Sequence, residues 1–567
     1  MNAGDSLGLC SGRRQGVGAC FRPFAALRSL AVLSLVFGIQ ACALIGPDYE
    51  PPEAPAAARW EEARDARANA VDVDTTHWWQ GFNDPVLDAL ITEARAKNLT
   101  LQAAALRVLE ARALRAVAFG NLFPQEQSLS ASYERGQVSE NRATTGGGGS
   151  SGTSNARNFG TEAWTLFFGA TWEIDLWGRL RRAVESADAQ VLAQLASYDD
   201  VLVTLLGDVA STYVQIRVLE ERLALAHDNV RVQREGLDVA RVRYEAGGTS
   251  ELDVQQARTL LAATEAGILQ VEISLRQTEH ALSVLLGSTP ADVSHVLSGS
   301  RGIPAAPAAV AAGIPADLLR RRPDVRRAER ELAAQSARIG VAKGDLLPRL
   351  QLVGRIGVAA EDAAQLFRGN SFEAFGGPRI DWPILNYGRI VNAARVEDAR
   401  FEELAAAYTQ TVLSAEQEVE DSLVGYLLGT EQLKRLAESV DAANRSVELS
   451  LIQYREGAAD YTRVLTTQQA KLREEDALAT SRGAVTLDVI SLYRAMGGGW
   501  EVRLGEELVP AATQERMRGR TYWGGMLETK SVTGSPDRNG AKSDEATGAA
   551  PATDGEGEAG VVPAAKQ

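Results

Sequence analysis

Cysteine is the one reactive side chain whose placement suggests chemistry in this sequence. Cys10, Cys20 and Cys42 all fall within the first 42 residues of a 567-residue chain. Beyond that point the sequence can build neither a disulfide framework nor a cysteine-held metal site. The four histidines, His77, His227, His280 and His295, are scattered, with no His-Glu-x-x-His pair and no carboxylate cluster beside them. No Gly-x-Ser-x-Gly nucleophile turn joins a strand to a helix, and no dinucleotide fingerprint occurs. The run Gly146-Gly-Gly-Gly-Ser-Ser-Gly152 lacks the Lys-Ser/Thr and the helix start of a phosphate loop, so it reads as a flexible surface loop. These residues predict no enzyme, no cofactor and no metal site.

What surrounds Cys42 points to a different chemistry. Arg13, Arg14, Arg22 and Arg28 precede the apolar run Leu30–Ile39, which is too short to span a bilayer and fits the core of an export signal. It ends in Ile39-Gln40-Ala41-Cys42, small residues before a cysteine, similar to a bacterial lipobox. Such signals are cleaved before the cysteine, which becomes residue one and is lipidated. Gln40 is an unusual occupant of its slot, and an ordinary signal peptide with a chance cysteine is the alternative. The Pro-rich stretch that follows, through Gly46-Pro-Asp-Tyr-Glu-Pro-Pro52, suits an extended leash. No later segment has about 18 consecutive apolar residues, so any membrane crossing further on must be a closed β-barrel.

The rest of the sequence is two copies of one unit. Val117-Ala-Phe-Gly-Asn-Leu-Phe-Pro124 matches Val341-Ala-Lys-Gly-Asp-Leu-Leu-Pro348. Ile174-Asp175 with Trp177-Gly-Arg179 matches Ile380-Asp381 with Tyr387-Gly-Arg389. Tyr244-Glu-Ala-Gly247 matches Tyr454-Arg-Glu-Gly457, and Leu285-Leu-Gly287 matches Ala495-Met-Gly497, both at an offset of 210. A repeat this long is a duplicated half-molecule, not a solenoid. Each half predicts a helix stopped by Pro (86–121, then 324–345), two strands, a very long helix (181–246, then 391–456), a Gly turn and a returning helix (to 286, then 496). A rod of some 66 residues is roughly 100 Å long. Its apolar residues recur at three- and four-residue spacing with charges between them, as in coiled-coil packing. The two shorter helices of each half together match one rod, and could stack end to end beside it.

Four strands are expected: 128–134, 164–175, 349–356 and, more weakly, 371–382. In the second, Trp164, Leu166, Phe168, Ala170, Trp172 and Ile174 share one face, with Thr165, Phe167, Gly169, Thr171, Glu173 and Asp175 on the other. One apolar face with aromatic ends suits lipid-facing strands. Four strands cannot close a barrel, and open edges in a bilayer are costly, so a membrane reading requires several copies, with three giving twelve strands. A soluble four-stranded sheet packed on helices is the competing reading.

These landmarks resemble the TolC/OprM-like outer-membrane factors, in particular the NodT-type efflux lipoproteins. The residues that carry the resemblance run from Cys42 to Trp500. They include the leash at 46–52, Trp78-Trp-Gln-Gly-Phe-Asn-Asp-Pro-Val-Leu87, Leu319-Arg-Arg-Arg-Pro-Asp-Val-Arg-Arg-Ala-Glu329 and Leu492-Tyr-Arg-Ala-Met-Gly-Gly-Gly-Trp500. The resemblance implies a membrane α+β fold: a homotrimer whose duplicated halves supply four strands each to a 12-stranded transmembrane barrel above a long coiled-coil periplasmic α-barrel. It implies an outer-membrane channel that docks on a periplasmic adaptor and an inner-membrane pump and passively conducts small molecules. The hairpin tips that resemble the adaptor-docking tips are Tyr244, Gly247, Gly248, Thr249 and Ser250, with Tyr454, Gly457, Ala458, Ala459 and Asp460; a generic glycine turn is the alternative. Related channels carry an Asp and an Arg just after the second tip. Here Thr466 and Gln469 occupy those slots, which leaves Asp460 and Arg463 as the charged candidates for a periplasmic constriction.

The expected organisation is a signal peptide (1–41), a lipid-anchored extended segment (42–75), a first repeat (76–300), a second repeat (301–500), a C-terminal packing segment (501–530) and a disordered tail (531–567). The formal net charge of -15 argues against a nucleic-acid partner. A type I secretion duct and a purely structural periplasmic coiled-coil lipoprotein remain the alternatives. The second of these has no need of the alternating strands.

Overall fold

The duplication read from the sequence is visible as one construction made twice. The structure, a computed structural model, describes residues 44–53, 59–65, 67, 75–136, 161–290, 297, 302–307, 310 and 320–527. Cys42, the leader before it, the glycine-rich loop at 146–152 and the tail at 531–567 lie outside the described residues. In the first half, α1 (Pro85–Lys97) and α2 (Leu99–Gly120) lead to β1 (Glu126–Gly136) and β2 (Thr161–Ile174), then α3 (Arg179–Glu245) and α4 (Glu251–Leu285). In the second half, α5 (Pro323–Gly344) leads to β3 (Arg349–Ala360) and β4 (Phe372–Asp381), then α6 (Arg389–Arg455) and α7 (Tyr461–Ala495). A short helix, α8 (Ala511–Arg518), follows.

One expectation is corrected. The sequence predicts a single first helix over 86–121, whereas the chain breaks at Asn98. That residue is extended (φ -61, ψ 124), and its side chain accepts from the Leu101 N–H to start α2. Asn competes with helical hydrogen bonding and favours caps, which is why it can end one helix and begin another. Its amide also donates to the Leu285 carbonyl at the end of α4, 2.9 Å away. α2 is thereby seated on α4, and the two continue one line beside α3. The same joint recurs in the second half, where Arg322 donates to the Ala495 carbonyl at 2.5 Å and seats α5 on α7. Gly287 and Gly497 make both joints possible. Each takes a positive φ (63° and 71°) just past its helix. A Cβ at Gly287 would lie 2.5 Å from the Lys97 carbonyl oxygen.

The rods are α3 and α6, 67 residues each, or about 100 Å. α3 packs on α2, α4, α5 and α7, while α6 packs on α5 and α7. The helices thus form one layer, with composite rods of short helices alternating with the two long ones. Matched glycines cap the rods, Gly178 (φ 79°) before α3 and Gly388 (φ 81°) before α6.

All four strands pair antiparallel in the order β1-β2-β3-β4, so the sheet joins the two halves through β2 and β3. The matching turns after the first helix of each half are both capped by a tryptophan, though not by repeat mates: Trp172 Nε1 donates to the Leu122 carbonyl at 3.1 Å, and Trp382 Nε1 donates to the Leu346 carbonyl at 3.0 Å.

One face of the helical layer is wrapped by irregular chain. Trp78 stacks on Tyr493 at 5.5 Å, and Trp79, Phe82, Leu508, Val509 and Leu527 join the core with Leu206, Val209 and Ile490. Asp199 of α3 is fully buried, held by Arg503 (3.0 Å) and Arg326 (3.3 Å), and both guanidinium groups flank Trp500. The leash lies across α3 and α5: Arg182 donates to the Ile45 carbonyl (3.1 Å) and to Asp48 (2.7 Å), while Gly46 passes against Gly340.

Candidate functional site

Strand register fixes what each face of the sheet presents. Leu129 opposes Phe168, Phe168 opposes Ile356, Trp172 opposes Leu352, and Leu350 opposes Ile380. These pairs stack across all four strands on one face, joined by Tyr133 against Trp164 at 4.4 Å. Much of this face is bare: Leu129 and Ile380 are each 72% exposed and Phe168 is 46% exposed. The opposite face is mostly polar, with Phe167, Val353 and Phe375 among its residues. Ser132 and Thr165 share a hydrogen bond of 2.7 Å, Arg355 sits 4.4 Å over Phe167 and 3.6 Å from Glu373, and Glu173 opposes Gln351. A wall with one apolar and one wet side separates hydrocarbon from water. Its edge strands, β1 and β4, have no neighbour among the described residues, so both edges carry backbone groups that need a partner.

At the far end of the rods the two hairpin tips lie side by side. Gly247 (φ 71°) and Gly457 (φ 74°) close the two turns, and in each the next amide reaches back to the helix: Gly248 N–H to the Arg243 carbonyl and Ala458 N–H to the Gln453 carbonyl, both 2.8 Å. Ser250 and Asp460 begin the returning helices, and the Asp460 side chain accepts from the Arg463 N–H at 3.2 Å. Thr249 hydrogen-bonds to Asp253.

The matched tyrosines differ in their surroundings. Tyr244 is 45% exposed, whereas Tyr454 is buried and packs edge-on against Tyr461 at 5.2 Å. Arg243, from the other hairpin, lies 4.5 Å over the Tyr454 ring, donates to the Tyr454 carbonyl and donates to the Gly248 carbonyl at 3.1 Å. The Tyr454 hydroxyl donates to Asp253 at 3.2 Å. Burial pushes the Tyr454 and Tyr461 hydroxyls above their ordinary pKa. The tips are thus latched by residues the sequence reading did not select, Arg243 and Asp253. The repeat offset held the signal: the matching positions are Gln453 and Arg463, so both charges differ between the halves.

The residues expected near a constriction fall on one exposed stripe of α7. Arg463, Thr466 and Gln469 recur every third residue, and Asp460 precedes them at the cap. The Thr466 hydroxyl is spent locally on the carbonyls of Thr462 (2.9 Å) and Arg463 (3.0 Å). Ala458 and Ala459 are small and lie in the turn between Gly457 and Asp460.

Comparison with known proteins converges. A family model described as outer membrane efflux protein matches residues 90–288 and 314–498. Nodulation protein T of Rhizobium leguminosarum bv. viciae is 32% identical over 473 residues, covering 83% of this chain and 93% of its own. The pyoverdine export outer membrane protein OpmQ of Pseudomonas putida is 32% identical over 483 residues, covering 84% of this chain and 98% of its own. Among solved structures, the outer-membrane channel OprN superposes with a TM-score of 0.74 at 31% identity, covering 81% of this chain and 100% of that one.

Proposed function

Because this chain belongs to the outer membrane efflux protein family, we propose that three copies of it close into one tube through the outer membrane. The protein is the outer-membrane channel component of a tripartite efflux system, a conduit for small molecules delivered by a pump. The proposal adds how the conduit is built. The observation that carries it is the four-stranded wall with a continuous apolar face and two edges unpaired among the described residues. In hydrocarbon each unpaired backbone group costs several kcal/mol, so the edges must meet other strands, and twelve strands leave an aqueous interior.

The assignment extends to the two ends of the rods and to the leash. Cys42 carries the lipid, and the leash across α3 and α5 runs on the outer side of the tube, where a tether can reach the bilayer. The latched tips receive the periplasmic adaptor, with Tyr244 and Leu252 offering exposed apolar surface and Gly248, Thr249, Ser250 and Ala458 to Asp460 forming the rims. Asp460, Arg463, Thr466 and Gln469 line the narrowing above them. No catalytic step is assigned to the chain; the driving force belongs to the pump.

Native mass spectrometry and negative-stain imaging of detergent-extracted protein test the assembly. The expected result is a trimer shaped as a tube roughly 140 Å long, the rods plus a membrane-spanning wall. A monomer or a dimeric rod that needs no detergent would refute the barrel. Intact mass before and after Cys42→Ser tests the anchor separately, since only the wild type should carry an acyl mass.

A further inference from the structure

The two halves act as controls for one another, and the comparison singles out a groove between α6 and α7. Gly425 and Gly429 face Ser481, Val485 and Asp488 across an open furrow of about 470 Å³. One repeat earlier the matching positions hold Gln215, Leu219 and, for Asp488, Thr278. Where the first half has side chains, the second has a gap. Gly425 keeps it open: a Cβ there would lie 2.7 Å from Asp488 Cγ. Among the described residues Asp488 has no hydrogen bond and no ion pair, and burial pushes its carboxyl above the ordinary value with no nearby cation to offset it. The Ser481 and Gln432 side chains at the rim are likewise without partners among the described residues. A concave, mostly apolar space of this size with a few convergent polar groups has the form of a small-molecule site.

The groove lies on the bare face of the layer. Thr486 donates to the Pro304 carbonyl at 2.9 Å and Tyr426 to the Pro307 carbonyl at 2.9 Å, so the irregular segment covers one side of α6 and α7. At about 100° per residue Asp488 points roughly 200° away from Thr486, and Ser481 lies within about 20° of Asp488. In the trimeric reading above, on which this inference rests, the covered face is the outside and the groove opens to the lumen. Twenty-eight residues separate Asp488 from Asp460, which sets it about 40 Å above the tips.

We propose that this groove is a cation subsite in the channel wall: Asp488 takes the charged end of an organic amine or amidine, and Val424 and Val485 take its apolar body. Three copies place three such carboxylates at one level of the lumen, a stepping point for cationic cargo. A bare divalent ion is disfavoured, since one carboxylate with two neutral groups is far from the six to eight oxygens that calcium takes.

The test uses the full-length trimer in planar bilayers, with benzamidine as the probe against a KCl current. Wild-type channels are expected to be blocked, and Asp488→Asn to raise the half-blocking concentration about tenfold. Filling the groove with the first-half residues, Gly425→Gln with Gly429→Leu, should weaken block to a similar degree while leaving the charge in place. Wild-type block should strengthen as pH rises through and above the ordinary carboxylate range, because the half-buried carboxyl holds its proton longer. Asp488→Asn should lose that dependence. Equal block in wild type and Asp488→Asn overturns the subsite, as does a loss in Asp488→Asn that groove filling does not reproduce. Wild-type protein that forms no discrete conductance is a separate failure, that of the channel reading itself.

Discussion

At the scale of single residues, the tips show how a duplicated chain gives one position two duties. Tyr244 and Tyr454 are repeat mates, yet one is exposed and the other buried under Arg243. Opening the tips must break the contacts of Arg243 with Tyr454 and Gly248 and the bond from the Tyr454 hydroxyl to Asp253. A hydrogen bond to a charged group contributes about 1.5–3 kcal/mol, and the cation over the ring a further ~0.5–2 kcal/mol. Arg243→Ala and Tyr454→Phe are therefore expected to leave the fold intact and to raise single-channel conductance in planar bilayers, Arg243→Ala more so. The latch should also fail in alkali. Freed tyrosines lose their protons near pH 10 and the latched ones resist, so the stabilisation is complete below about pH 10 and falls as pH rises beyond it. Wild-type conductance that stays flat to pH 11 would show that these tyrosines do not hold the tips. The glycines at 247 and 457 were legible from the repeat alone. Arg243 and Asp253 were not singled out, because their partner Tyr454 is more than 200 residues away and only the fold brings them together.

Elements were more legible than residues, for a physical reason: rods and strands state their period locally. The long helices follow from apolar spacing, and the strand faces from alternation, which the register then aligned across four strands. Asn98 was missed because nothing local distinguishes a capping Asn from an exposed one; its amide bond to Leu285 exists only once α4 has returned. That joint makes a prediction about glycine. Gly287→Ala places a Cβ against the Lys97 carbonyl at a positive φ, so it combines a left-handed strain of roughly 1–2 kcal/mol with a backbone clash. Gly267→Ala, in the middle of α4 with open space around it, should be neutral or stabilising by up to about 1 kcal/mol. Melting of the two variants in detergent separates the joint from ordinary helix propensity; equal Tm values would mean that the joint yields. The wall has its own contrast. Phe168→Arg on the apolar face is expected to cost about 2–4 kcal/mol in urea titrations of the bilayer-folded protein. Thr165→Arg, on the wet face of the same strand, should be tolerated, and a similar loss for both would mean that the faces are wrongly assigned.

For the whole molecule, the repeat predicts how copies meet. Within one chain α3 lies along α7, and Val218 fills the space over Gly483 so closely that a Cβ there would come 2.3 Å from the valine. One repeat later the valine's place is taken by Leu428 on α6, 66% exposed; one repeat earlier the glycine's place is taken by Ile273 on α4, 51% exposed. Neither is covered by the described residues of its own chain, and each lies on an outer helix of the layer. If the α6 of one copy met the α4 of the next as α3 meets α7, both would be buried, and the same step repeated three times would close the layer. Burying a large aliphatic side chain contributes about 1.5–3 kcal/mol, so each of three interfaces would gain several kcal/mol from this pair alone. A charge forced into that seam would be unpaired and desolvated. Ile273→Arg and Leu428→Arg are accordingly expected to convert the proposed trimer, read by native mass, largely to monomer. Phe367→Arg, at a residue 79% exposed in the β3–β4 turn and on neither seam helix, should leave it trimeric. A trimer that survives Ile273→Arg would place the contact between copies on another edge, and with it the assumption that the two halves of the chain are interchangeable around the tube.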